Sequence, residues 1–209
     1  MTRAQIKTLF RRRVHDVEGI QWSDAEQNDL INLAYAKVQK EIVKVRPDAF
    51  LYWDYMNLTA GVSLYPLPAT FGVRRVGVKA AASDTTYTKL SKKEWEAVMD
   101  GLGDGSLRQY YALPNDIWLG IYPAPTSTIV NGIELVHTPI LALSDDAEVP
   151  RIKLPLHDAI ALWAVVIAKG ETDEDGMLAK NELNNLIDDL PFWYTSNTDE
   201  PEKFQVVGV

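Results

Sequence analysis

The stretch from Ser23 to Pro47 constrains the fold more than any other part of the chain. Ser23 followed by Glu26 is a capping box: the serine oxygen accepts from the Glu26 amide, and the glutamate reaches back to the Ser23 amide. Pro47 ends the helix, because the residue before a proline is pushed out of helical geometry. About 23 residues at about 1.5 Å each make a rod of roughly 34 Å. Ile31, Tyr35, Val38, Ile42 and Val45 follow at spacings of 4, 3, 4 and 3. Such a seam packs lengthwise against another helix, so the rod needs a partner.

The rest of the chain supplies two kinds of texture. A first helix is predicted over Thr2 to Val14, with Ile6, Leu9, Phe10 and Val14 on one face and three arginines opposite. From Tyr52 to about Pro139 short strands are predicted at 55–58, 62–65, 73–79, 110–113, 117–122 and 129–137, separated by turn signals such as Ala60-Gly61 and Asn131-Gly132. The 117–122 segment is apolar on both faces and reads as covered on both sides. One helix interrupts, with Ser91 as cap and Glu94 at its third position, before the glycine-rich GLGDGS. Helices return at 156–169, apolar nearly all round, and at 173–190, where Pro191 stops the pattern. The expected fold class is α+β. Helices from 1–50 and 150–191 form a bundle, a β-sandwich or barrel of antiparallel strands is inserted at 51–140, and an extended segment follows at 192–209.

Charge narrows the functions. The chain carries 21 Lys+Arg against 29 Asp+Glu, a net charge of −8, which argues against gripping nucleic acid by its phosphates. Residues 1–20 hold five basic and two acidic groups, whereas 171–202 hold ten acidic groups and only Lys180. With no cysteine, disulfides, thiolate metal sites and cysteine nucleophiles are excluded together. The longest apolar run, Ala159 to Ala168, is ten residues. A membrane span needs about 20, and the N-terminus lacks the apolar run of a signal peptide, so a soluble protein made in the cytoplasm is expected, with no membrane partner.

Motifs that carry chemistry are sparse. ETDEDGMLAKNE, residues 171–182, can be laid on a calcium EF-hand loop with Glu171, Asp173, Asp175 and Glu182 as oxygen donors and Gly176 at the turn. Glu171 is one methylene longer than the aspartate that such a loop prefers, and no second loop is present to pair with it. A calcium-regulated binding module is therefore the alternative reading, not the main one. His15-Asp16 and His157-Asp158 lack the further spaced ligands of a metal phosphohydrolase, and no constellation supports a hydrolase. GLGDGS follows a helix instead of a strand and is not a dinucleotide fingerprint. No cofactor is expected. Phe192, Trp193 and Tyr194 follow a helix-stopping proline with little local core to join, and aromatics so placed anchor interfaces.

WSDAEQNDLINLAYAKVQKEI at Trp22–Ile42 resembles the helix that opens head-to-tail adaptor proteins of tailed bacteriophages, also called connector or head-completion proteins. YPLPATF at Tyr65–Phe71, a strand ending IYPAP at 121–125, and LPLHDAIALWAVVIA at 154–168 follow in that family's order. The resemblance implies long helices carrying a β module, a structural rather than enzymatic role, and twelve copies in a ring at the virion neck. The ring would join the portal of the head to the next tail or nozzle protein, with double-stranded DNA passing through its lumen without specific binding. The apolar helix at 156–169 and the seam of the long helix would be buried between subunits. The segment from Tyr194 onward, through Phe204, Val206, Val207 and Val209, is expected to dock on assembly.

Overall fold

A computed structural model describes residues 1–94 and 110–195 of the chain. They fall into two compact units, one helical (1–49 with 140–195) and one built of strands (50–139).

In the helical unit, α1 (Arg3–Arg13) begins at Thr2, whose hydroxyl accepts from the Gln5 amide while Gln5 accepts from the Thr2 amide. This is a second capping box. Arg11, Arg12 and Arg13 lie in the last turn, where cations oppose the negative end of the helix dipole. α2 (Asp24–Val45) begins at the Ser23–Glu26 box and ends where Arg46, held before Pro47, turns extended. Its Ile31, Tyr35, Val38 and Ile42 are buried.

Their partner is α3 (His157–Lys169), which packs against α1, α2 and the following α4 (Glu174–Asp188). Ile160, Ala161, Leu162, Ala164 and Val165 of α3 are essentially inaccessible. The all-round apolar pattern is thus accounted for within one chain, by three neighbouring helices, and needs no second subunit. Gly170, at φ +79°, closes α3. Gly176 lies so near the Gly170 carbonyl that a Cβ would sit 1.8 Å from its oxygen, so only glycine lets α4 start here. Pro191 does end the α4 pattern, but it also opens a short α5 (Leu190–Thr195), because a proline in the first turn of a helix loses no hydrogen bond.

The return segment at 140–151 has no regular structure of its own, and α2 supplies the missing partners. Asn32 accepts from the Leu143 amide at 2.8 Å and donates to its carbonyl at 3.3 Å. Seven residues on, Gln39 does the same for Leu141, at 3.1 and 3.2 Å. Between them the Tyr35 hydroxyl accepts from the Arg151 amide. A spacing of seven is two helical turns, so the two carboxamides stand on one face of α2 and pair with the extended chain as a neighbouring strand would.

The strand unit holds two four-stranded sheets among the described residues. One runs β1 (Tyr52–Leu58), β8 (Ile129–Pro139), β3 (Thr70–Val78), β4 (Thr88–Lys89); the other runs β2 (Leu64–Pro66), β7 (Trp118–Tyr122), β6 (Tyr110–Ala112), β5 (Ser91–Lys92). Leu58, Val76, Ile133 and Leu135 of the first sheet form one buried cluster with Tyr65, Leu119 and Ile121 of the second. Two sheets with a shared core, and edges left open, make a sandwich and not a closed barrel. The pairing is antiparallel except for β5 with β6, which is parallel.

Three local expectations change. Ser91 lies in β5, so it does not cap a helix starting at 92; the remainder of that predicted helix, and GLGDGS, lie outside the described residues. Asn131-Gly132 is not a turn but an irregularity inside β8, opposite the register shift between Met56 and Leu58. The 117–122 segment buries Leu119, Gly120 and Ile121 and half-buries Tyr122, and only its first two residues, Ile117 and Trp118, are exposed, so cover on both sides fails at its start alone.

Candidate interface surfaces

The basic N-terminus is not a free cationic surface. Arg3 and Lys7, both buried, reach Asp146 at 2.8 and 2.9 Å, and Arg3 also donates to the Leu143 carbonyl at 2.7 Å. Hydrogen bonds from Lys7 and then Arg3 hold the Asp146 carboxyl below its ordinary range. Arg11 pairs with Asp24 and donates to Gln27, and Arg13 meets Glu182 at 2.9 Å.

The loop after α1 is organised by Asp16. Burial alone would raise its carboxyl pKa, but the backbone N–H groups of Gln21, Ile20 and Trp22 all donate to it, and the net shift is downward. His15 takes φ +57° and Gly19 φ +70° to make the bend. Held in this way, the loop presents Val17 at 69% and Ile20 at 79% exposure, two large apolar side chains turned to solvent.

The four acidic residues of the EF-hand alignment are not brought around one point. Residues from Glu174 onward are helical, so positions that the alignment needs in a loop lie on α4. Glu171 pairs with Lys180, Asp173 caps α4 through the Asp175 amide, Asp175 lies 3.6 Å from Lys169, and Glu182 pairs with Arg13. Among the described residues no group of three or more His, Asp or Glu side chains is placed to hold a metal ion. Gly176 serves the close approach of two helix ends, not a calcium turn.

The histidines also divide. His157 Nε2 donates to the Ile152 carbonyl at 3.1 Å, its Nδ1 lies 2.6 Å from the Met1 nitrogen, and burial pushes its pKa down, whereas Asp158 is exposed. The histidine that does meet an aspartate is His137, 1% exposed, with Nε2 2.9 Å from Asp54. The two are 83 residues apart, and no local pattern announces them.

Of the aromatic triplet, Phe192 is 75% exposed. Trp193 and Tyr194 are half-buried: Lys153 donates to the Trp193 carbonyl at 2.7 Å and lies over the Tyr194 ring, and burial raises the tyrosine pKa. The candidate contact is therefore Phe192, while its two neighbours fasten α5. Phe204, Val206, Val207 and Val209 lie outside the described residues.

The strand unit has its own exposed surfaces. Register places Leu64 opposite Gly120 and Pro66 opposite Trp118, so Leu64, Pro66 and Trp118 share the outer face of their sheet, with Ile117 (60% exposed) beside them. On the outside of the other sheet, Arg75 meets Glu134 at 2.5 Å in a recess of about 260 Å³ walled by Tyr87 and Lys89. Gly77 makes room for it: a Cβ there would come within 2.9 Å of the Tyr87 Cβ.

No helix among the described residues is long and apolar enough to cross a membrane. A search of curated proteins returns no match. A family model described as SU10 adaptor protein matches residues 1–202, which takes in both units.

Proposed function

Because this chain belongs to the SU10 adaptor protein family, and so is a structural adaptor of a tailed bacteriophage, we propose that it forms a twelvefold ring at the virion neck, joining the portal of the head to the tail and letting DNA pass. The observation that carries the reading is the presence of exposed apolar side chains on each unit: Val17, Ile20 and Phe192 on the helical one, Ile117 and Trp118 on the other. Exposed apolar side chains grouped on one surface, as Ile117 and Trp118 are with Leu64 and Pro66, are the material of contact sites. Two separate sets suit a part that must meet two different neighbours. The helical unit takes the portal and adjacent copies; the strand unit takes the next tail or nozzle protein.

Charge supports the same reading. Twelve copies at −8 each would carry a formal charge of −96, and such a ring repels the phosphates of DNA and does not hold them. Glu171, Asp173, Glu174 and Glu182 are exposed on and before α4, as a surface turned toward DNA requires.

The test is to mix the purified chain with the portal ring encoded beside its gene, then measure mass by light scattering and image by negative stain. A twelvefold layer on the portal is the expected result. A monomer that ignores the portal refutes the proposal.

A further inference from the structure

Four strands edge the two sheets: β1 and β4 on one, β2 and β5 on the other. Three of them are blunted. β2 is three residues long and ends in Pro66, while β4 and β5 have two residues each and carry Lys89 and Lys92. Short length, proline and lysine are the devices by which sheet edges avoid pairing with other chains. β1 uses none of them: it has seven residues, YWDYMNL, with no proline, lysine or arginine.

Antiparallel pairing with β8 occupies the N–H and C=O groups of alternate β1 residues, and the intervening groups point to the open side. Among the described residues no other strand pairs there. Tyr55 and Asn57 on this strand are exposed. An edge of this kind accepts one more strand.

The sequence contains a segment suited to it. The family match ends at 202, and KFQVVGV follows at 203–209. Phe204, Val206, Val207 and Val209 are strand formers, and the segment contains no proline. The polar residues at 196–202, SNTDEPE, make a linker that spans up to about 23 Å when extended. We propose that residues 203–209 of one copy add as a strand to the open edge of β1 in a second copy. The inference rests on the ring proposed above, since a strand handed from each copy to the next is a head-to-tail contact, the type that closes rings. It assigns Phe204, Val206, Val207 and Val209 to self-association and not to the portal.

The absence of cysteine makes the test clean. Two full-length chains with tags of different size, one Tyr55→Cys and one Val206→Cys, are mixed and oxidised. The mixed disulfide should exceed that of a Glu18→Cys and Val206→Cys pair by about tenfold, as the raised local concentration of a docked segment requires. Adding Val207→Pro with Gly208→Pro to the second chain removes two adjacent donors and should abolish the excess. No excess, an excess that survives the prolines, or a single chain carrying both Tyr55→Cys and Val206→Cys that forms only the intrachain disulfide would each overturn the proposal. Portal binding of the unmodified chain is measured alongside. Binding without cross-link sinks the strand donation and spares the adaptor reading; cross-link without binding does the reverse.

Discussion

The two units solve the same problem, burying apolar surface under a chain that must cross it, by different means. The helical unit uses periodic helices with capped ends and then borrows side chains to satisfy an irregular return segment. The strand unit uses backbone register throughout and makes space with glycine. In the first, polar atoms that matter sit on particular side chains, so single substitutions can unseat them. In the second, most of them sit on the backbone, where a change of shape is needed to unseat them, and side-chain pairs such as His137 with Asp54 are the exception.

The largest expected effect tests whether the helical core is one centre. Ile160→Ala in α3, at a fully buried position, should destabilise the helical unit by about 2–5 kcal/mol. Urea unfolding followed by amide exchange checks it, and equal loss of protection in both units would erase the distinction between them.

Next come the two glycines at chain crossings. Gly176→Ala puts a methyl 1.8 Å from a backbone oxygen, while Gly132→Ala meets the Leu58 Cβ at 2.6 Å and a backbone oxygen at 2.8 Å. Overpacking of this kind typically destabilises by about 1–3 kcal/mol, and Gly176 should lie at or above the top of that range. Thermal melting of both variants settles the order; a milder Gly176 variant would mean that α4 can slide.

Gln39→Ala sharpens the contrast from the polar side. It strands the Leu141 amide and carbonyl, both now served by one carboxamide. A loss toward the lower end of about 1–3 kcal/mol is expected, since water entering the vacated space satisfies part of the demand. Gln39→Glu, which sets a carboxylate oxygen against the Leu141 carbonyl at a fully buried position, should lose at least as much on the same urea curve.

The smallest effect at any one group is on pH dependence. Asp16, Asp146 and Glu148, all in the helical unit, have carboxyls held below their ordinary range. Their contribution is present above about pH 4, where the unfolded chain also ionises, and is lost as pH falls through their folded values. His157 is held neutral by burial, so its contribution begins to fade earlier, below about pH 6.5, where the unfolded imidazole takes a proton. Helical circular dichroism should therefore decline on acidification before the Trp118 emission of the strand unit changes. The reverse order would contradict the assignment.

What could be read from the sequence follows the same division. α2 was legible end to end, because Ser23, Glu26 and Pro47 act through their immediate neighbours. The six longer strands were found from alternation, although the Thr2–Gln5 box and the two-residue strands β4 and β5 were not. Ser91 with Glu94 resembled a cap because the pattern is only two residues deep, and pairing with β6 wins over it. Nothing local marks Asn32 and Gln39 as partners of 141–143, since polar residues on a helix ordinarily face water. For the same reason His137 and Asp54 are invisible, and four acidic residues in a row of twelve look like a cage when three have their own cations and Asp173 caps a helix. The sequence presents the aromatic triplet as one unit, and packing divides it into Phe192 outside and two fasteners.

One feature of the architecture reaches back to the ribosome. The helical unit is assembled from two stretches of chain with the strand unit between them. About 110 residues separate the end of α2 from the start of α3. At roughly 5–20 residues per second, the apolar seam of α2 waits about 5–20 s for its partner, while residues 50–139 of the strand unit are complete about 1–4 s before α3 begins. A nascent adaptor thus passes through a stage in which its younger half can close and its older half cannot, which makes α1 and α2 the natural clients of a holding chaperone during synthesis.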